Sequence, residues 1–320
     1  MRAITAEILN HLPMEIAAII RATTLWLKQP IIEIRLRANQ PLQIITNFNE
    51  YFLSRAGEKA DSLGNSYFVS RVQLEKAFLI LTRNSVYALE RQLIEGFITI
   101  PGGHRVGFTG QVIVENGEIK TIKEISSLNY RITREMLGIA SGIIEKVYNR
   151  RNDYIYNTLI ISPPLCGKTT LLRDLIRLIS EGVPELGLSG KKVGVVDERS
   201  EIAGTYQGVA QNKIGKRTDL LDNCPKAQGM LLLLRTMSPE VIAVDEIGRE
   251  EDVIAIQEAF TGGVSILTTV HGRDLSSLKA RPSIRKLVDS AVYQRFIILS
   301  KKKGIGTIDR IVDQQGKGVI

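Results

Sequence analysis

The run Ile161-Ser-Pro-Pro-Leu-Cys-Gly-Lys168-Thr169-Thr170 restricts what this chain can fold into more than any other segment. The apolar stretch Leu159–Ile161 before it reads as a buried strand. After it, Leu171, Leu172, Leu175, Ile176 and Ile179 recur at the spacing of one helix face. A tight loop therefore carries the chain from a strand to a helix N-terminus, with Gly-Lys-Thr where the helix opens. The first N–H groups of a helix have no intrahelical partner, and the helix dipole adds positive potential there, so such a terminus attracts an anion. At this spacing the loop residues Ser162, Pro163, Pro164, Leu165, Cys166, Gly167, Lys168, Thr169 and Thr170 form a cradle for the phosphates of a nucleoside triphosphate such as ATP. Lys168 is placed for the β- and γ-phosphates and the Thr169 hydroxyl for Mg²⁺.

Two positions depart from the common form of such loops. Ser162 stands six residues before Lys168, where glycine is usual, and Leu165 fills a second position often held by glycine. Glycine serves there because the turn needs backbone angles that a Cβ resists. Pro163 and Pro164 fix φ instead, which pre-shapes the entry to the loop.

At 320 residues the chain is long enough for two domains with ordinary cores. No apolar stretch approaches the length of a membrane-spanning helix, and the N-terminus lacks the pattern of a cleaved signal. Ile16–Leu27 is interrupted by Arg21 and reads as a packed amphipathic helix. The two cysteines, Cys166 and Cys224, have no metal-ligand spacing and fit a reducing cytoplasm. A net charge of +8 permits contact with nucleic acid or anionic lipid but requires neither. Lys301-Lys302-Lys303, beside Gly304 and Gly306, reads as a solvated hairpin tip.

The polar segment 149–157 directly precedes the strand of the phosphate loop, so a boundary is expected there, dividing residues 1–150 from 151–320. In the first part Ile32, Ile34 and Leu36 alternate with Glu33, Arg35 and Arg37, the period of a half-buried strand, and Leu42–Ile45 continues it. Ser70-x-x-Gln73 is a capping box for a helix bearing Leu74, Phe78 and Leu81. A second helix is expected from Ser85 through Val86, Leu89 and Leu93 to Gly96. Strands follow over 97–100, 105–114 and 118–122, the last two joined by an Asn116-Gly117 turn. This is a small α+β domain. The second part alternates apolar runs at 159–161, 193–196, 241–244 and 264–267 with helical stretches, the pattern of an α/β domain with a parallel sheet.

Such sheets collect ligands at the carboxyl ends of their strands. Val241–Val244 ends in Asp245-Glu246, where Asp245 is placed for the Mg²⁺ hydration shell and Glu246 for the attacking water. The run Val193–Val196 ends in Asp197-Glu198, which leaves two acidic strand ends as candidate bases. A strand intervening between loop and acid points to ATPases with an added central strand. The last apolar run reaches Thr268-Thr269-Val270-His271, and a histidine just past a strand end is placed to sense a γ-phosphate. Arg217 and Arg249 are candidates to stabilise the transition state, in cis or from a neighbouring copy. Arg105 and Arg131 read equally as surface arginines and as nucleotide contacts across a boundary.

The blocks SPPLCGKTT, VVDERSEIAG, VIAVDEIGREED and TTVHG, in that order, resemble the secretion ATPases of type II and type IV systems. With PGGHRVGFTG, SSLNYRI, CPKAQGM and RTMSPE, nearly the whole chain resembles the stage III sporulation protein AA branch of that superfamily. The resemblance implies a RecA-like P-loop ATPase domain and a cytoplasmic, ring-forming, hexameric ATPase using ATP and Mg²⁺. Such a ring would serve membrane-embedded proteins of a channel between mother cell and forespore. Lys168 and Thr169 then fall in the Walker A loop, Glu198 in the Asp box, Asp245 and Glu246 in the Walker B pair, and His271 in the His box. A RecA-like nucleic-acid translocase and a nucleotide-gated scaffold with little turnover share this core. The first part lacks the basic stripe with interleaved aromatics that nucleic-acid binding favours.

Overall fold

The computed structural model describes residues 6–82, 94, 96–302, 304 and 306–319. Two compact units divide the chain, Met1–Arg134 and Glu135–Ile320. The division precedes the expected boundary because Ala140, Ile143, Ile144, Val147, Tyr148 and Ile155 all pack into the core of the second unit. The polar run is a hairpin tip rather than a linker: Tyr148–Asn149 pairs with Tyr154–Ile155, and Asp153 accepts from Lys191 Nζ at 2.9 Å.

The first unit is built on an antiparallel sheet of β1 (Ile31–Arg37), β2 (Gln43–Thr46), β3 (Glu50–Phe52), β4 (Phe97–Ile100), β5 (His104–Glu115) and β6 (Glu118–Arg131), in the order β3-β2-β1-β6-β5-β4. Ile34 and Leu36 are buried while Arg35 and Arg37 are half-exposed, as period-two patterning requires. Asn116 and Gly117 both have positive φ, 54° and 82°, the geometry of a tight hairpin turn with the twist of its strands. Helices α1 (Met14–Trp26), through Ile16, Ile19 and Ile20, and α2 (Arg71–Thr82), through Leu74, Ala77 and Leu81, pack into the core of this unit. The capping box forms: Ser70 N–H donates to Gln73 Oε1 at 3.0 Å, and Gln73 N–H donates to Ser70 Oγ at 3.2 Å. The helix expected from Ser85 lies outside the described residues.

The second unit holds a seven-stranded sheet of β7 (Thr158–Ser162), β8 (Val193–Asp197), β9 (Thr218–Asp222), β10 (Val241–Val244), β11 (Ser265–His271), β12 (Arg295–Ser300) and β13 (Thr307–Val312). Their order is β9-β8-β10-β11-β7-β12-β13, with every pair parallel except β12 and β13. Helices cover both faces. Ile160 joins Leu171, Leu175 and Ile179 of α3 (Lys168–Glu181) in one core. Leu159 and Ile161 join Met230 of α4 (Lys226–Thr236) and Val253 and Ile256 of α5 (Glu250–Thr261) in the other. This two-sided burial explains the continuous apolar strands. In sequence β8 falls between the phosphate loop and Asp245, but in the sheet the strand between β7 and β10 is β11. Four carboxyl ends, those of β8, β10, β11 and β7, therefore lie side by side. Lys301 and Lys302 are exposed in the β12–β13 turn, and Lys302 Nζ lies 2.6 Å from Asp309 Oδ1. Lys303 lies outside the described residues.

Leu175 is wholly buried between α3 and the sheet. Leu175→Ala is expected to lower unfolding stability by about 2–5 kcal/mol. Denaturant unfolding measures this, and a loss below about 1 kcal/mol would contradict the packing of α3.

Candidate active site

The phosphate loop leaves the sheet at Ser162, which lies in strand register with His271. Its carbonyl accepts from Gly272 N–H at 3.1 Å, and its hydroxyl donates to the Pro163 carbonyl at 2.6 Å. Ser162 is a strand residue, so the position where glycine was expected makes no demand for positive φ. The demand falls further on. Gly167 has φ 89° at the N-cap of α3, and Leu165 has φ 59°. A leucine in the left-handed region costs roughly 1–2 kcal/mol. Leu165 is 79% exposed, so its side chain gains little from packing there. Pro163 and Pro164 restrict φ ahead of it, and the Cys166 carbonyl behind it accepts from Gly306 N–H at 2.8 Å. No side chain caps α3, which leaves the N–H groups at Lys168, Thr169 and Thr170 to the loop's concavity.

The ends of β10 and β11 meet this loop. The Lys168 side chain is only 10% exposed, and its Nζ lies 3.6 Å from Asp245 Oδ1 and 3.7 Å from Glu246 Oε2. Thr169 Oγ1 donates to Asp245 Oδ2 at 2.6 Å, while Thr269 Oγ1 donates to Asp245 Oδ1. Glu246 N–H in turn donates to Thr269 Oγ1 at 2.9 Å, and Ile247 N–H to the Thr269 carbonyl at 2.9 Å. Glu246 has φ 49°, a left-handed backbone on a non-glycine residue. His271 Nε2 lies 3.7 Å from Glu246 Oε1, and His271 Nδ1 is buried without a hydrogen-bond partner. Thr269 is the residue that sequence reasoning passed over. Its one signal was its place two residues before His271 on the same strand, which puts both side chains on one face.

The carboxylates after β8 are already engaged. Asp197 is buried and accepts the N–H groups of Glu201, Ile202 and Ala203 at 2.8, 2.9 and 2.8 Å. Arg173 of α3 donates to the carbonyls of Glu201 and Ile202, which ties this loop to the phosphate-loop helix. Burial pushes the Arg173 guanidinium below its ordinary value. Glu198 pairs with Lys226 at the start of α4. Glu246, by contrast, faces Lys168 and His271.

The two arginines part company. Arg249 is exposed at the N-cap of α5, three residues past Glu246, and Asp252 Oδ2 accepts the N–H groups of Gly248 and Arg249 at 3.0 Å each. Arg217 precedes β9, at the amino edge of the sheet. Its Nη1 donates to the Ser180 carbonyl at 3.0 Å and its N–H to Ser180 Oγ at 2.7 Å. Ser180 is at the far end of the 14-residue α3, roughly 20 Å from the phosphate loop. Arg217 is thus not placed to serve this chain's own loop. Arg105 stacks 4.5 Å over the Phe97 ring and lies opposite Arg131 in the first unit's sheet.

Burial pushes the Asp197 carboxyl up to about 6, against the pull of its three N–H donors. A raised carboxyl means that the fold favours the protonated form. Its contribution to stability is complete below the unfolded value of 3.8 and is lost as pH rises through about 6. Carboxyl ¹³C NMR is expected to find a midpoint near 6 for Asp197. A midpoint below that unfolded value would show that the N–H donors outweigh burial.

The profile of the family described as Sporulation stage III, protein AA, matches residues 3–319. Stage III sporulation protein AA of Bacillus subtilis (strain 168) is 45% identical over 294 residues, which span 91% of this chain and 89% of that protein. Among solved structures, the ATPase DotB of Legionella pneumophila superposes with a TM-score of 0.55 at 15% identity, over 89% of this chain and 76% of that one. The pilus retraction motor PilT, crystallised with bound ADP, gives 0.54 at 13% identity, over 84% of this chain and 74% of that one. At these identities the two structures show the fold, a RecA-like α/β domain preceded by a smaller α+β domain. By the extent of the family match and the identity to the B. subtilis protein, the chain belongs to the stage III sporulation protein AA family.

Proposed function

We propose that this chain is an ATP-hydrolysing motor of the secretion-ATPase type, which energises a channel or export apparatus between mother cell and forespore. The observation that carries the reading is the convergence of Lys168 and Thr169 on Asp245 and Glu246 at one sheet edge. The fold shared with DotB and PilT, and the ADP bound to PilT, support ATP as the ligand.

The residues fit Mg²⁺. Thr169 gives its hydroxyl proton to Asp245, so its oxygen lone pairs remain for a hard cation, and the Asp245 carboxylate is a second oxygen site. Among the described residues no cluster of three or more His, Cys, Asp or Glu could form a metal cage. That suits an ion held through few protein oxygens, water and phosphates. Bound there, Mg²⁺ would be held by Thr169 and Asp245 and would supply positive charge against that of the phosphates. The α3 N-terminus and Lys168 hold the phosphate oxygens, and Lys168 turns from the two carboxylates to do so. Glu246 then orients the attacking water and draws its proton. Glu198 is the weaker candidate base, because Lys226 already neutralises it. The 3.7 Å approach of His271 Nε2 to Glu246 Oε1 supports the reading of His271 as a γ-phosphate sensor, and Arg249, exposed at the N-cap of α5, stays a candidate for the transition state.

Among the described residues no helix is long and apolar enough to cross a membrane. The family and the fold support the reading of a cytoplasmic homohexameric ring that docks peripherally on membrane-embedded proteins of the sporulation apparatus. Nucleic acid is not part of the reading.

Steady-state ATP hydrolysis tests it, with Lys168→Ala and Glu246→Gln beside the wild type. Lys168→Ala is expected to abolish nucleotide binding and turnover. Glu246→Gln is expected to bind Mg-ATP normally and lose turnover by about 10²-fold or more. Undiminished hydrolysis in Glu246→Gln would overturn the role of Glu246, and stimulation by DNA or RNA would favour the translocase reading.

A further inference from the structure

Strand β11 places two threonine hydroxyls on opposite faces of the sheet. Thr268 turns to one side, where its hydroxyl lies 2.6 Å from the Tyr293 hydroxyl in a fully buried setting. Thr269 turns to the other, where its hydroxyl and its carbonyl are both engaged with the β10 terminus. Its hydroxyl donates to Asp245 Oδ1 and accepts from Glu246 N–H, and its carbonyl accepts from Ile247 N–H. A hydroxyl has one proton and two acceptor sites. Here the proton goes to the carboxylate and one lone pair takes the backbone N–H.

Two consequences follow. First, the Asp245 carboxylate is fixed at both oxygens by hydroxyl donors, Thr169 at Oδ2 and Thr269 at Oδ1. Its plane is set before any ligand arrives. Second, Glu246 is held at φ 49°. A non-glycine residue in that region costs on the order of 1–3 kcal/mol and persists only where its surroundings over-determine it. The two N–H bonds from residues 246 and 247 to Thr269 supply that constraint, and they aim the Glu246 carboxylate back toward Lys168 and His271. Relaxed to an ordinary right-handed or extended backbone, Glu246 would swing its side chain away from this cluster.

We propose that Thr269 is a positioning residue for hydrolysis. Its hydroxyl couples the carboxylate that serves Mg²⁺ to the backbone of the residue that activates water, so both are held in one geometry. The inference rests on the ATPase reading of the site.

Thr269→Val keeps the shape and the carbonyl but removes the hydroxyl. Thr269→Ser restores the hydroxyl without the methyl. In Thr269→Val, kcat is expected to fall by about tenfold or more, while affinity for ATP measured without Mg²⁺ stays within about threefold. Thr269→Ser is expected to recover kcat to within about threefold of the wild type. Thr268→Val, which unmakes the bond to Tyr293 on the other face, is expected to lower the thermal midpoint and leave kcat within about threefold. A kcat in Thr269→Val equal to the wild type overturns the inference and leaves the ATPase reading intact. Failure of Thr269→Ser to recover, or an equal kcat loss in Thr268→Val, also overturns it, by showing that packing of the strand is what matters. A wild type with no turnover overturns the ATPase reading and this inference with it.

Discussion

The Lys168 side chain is nine-tenths buried, and taking a charge out of water costs several kcal/mol unless opposite charge surrounds it. Asp245 and Glu246 supply that charge at 3.6 and 3.7 Å, beyond the range of a well-made hydrogen bond. The lysine is thus neutralised without being locked. A triphosphate brings more negative charge and better acceptor geometry to the same place, so the ammonium has reason to leave the carboxylates. Under the proposed ATPase reading, its departure would free Glu246 to act on water. In that proposal one electrostatic requirement, that a buried lysine always have an anion, would link nucleotide binding to readiness of the base.

That requirement is met because of where the sheet inserts β11. The strand lies between the phosphate-loop strand β7 and the acidic strand β10, and its carboxyl end carries Thr269 and His271 into the gap. Thr169 from the loop and Thr269 from the inserted strand then take one Asp245 oxygen each. On the far side of β10, the loop after β8 is held by Asp197 and by Arg173, which projects from the phosphate-loop helix itself. Helix α3 is therefore bonded directly to the neighbouring acidic loop. The buried carboxylate of Asp197 orders three N–H groups, and Glu198 beside it spends its charge on Lys226.

The parallel sheet, the phosphate loop and the acidic strand end were legible in the sequence because each is local. A strand-loop-helix, an apolar run closed by Asp-Glu and a strand ending in His write themselves in consecutive residues. The misreadings were of another kind. Polar composition put a domain boundary at 149–157, yet a hairpin tip is polar for the same reason as a boundary segment, and only the burial of Ala140 and Val147 in the second core tells them apart. Ser162 stands out in sequence as a departure from the common loop, because sequence gives the residue type and not the backbone angle; its strand register removes the need for glycine there, and Leu165 bears the strain instead. Arg217 was a candidate by residue type, and chain direction puts the start of β9 at the edge away from this chain's own phosphate loop, which leaves action from a neighbouring copy as its expected role. Thr269 was hidden beside His271, since nothing in a Thr-Thr pair says which hydroxyl faces the carboxylates.

The most direct measurement is a crystal structure with Mg²⁺ and a non-hydrolysable ATP analogue. The expected result has the triphosphate in the 163–169 loop and Lys168 Nζ on its oxygens, no longer within reach of Glu246. Thr169 and Thr269 keep their bonds to Asp245. An analogue bound elsewhere, or Lys168 still on the two carboxylates beside a bound triphosphate, would contradict the account.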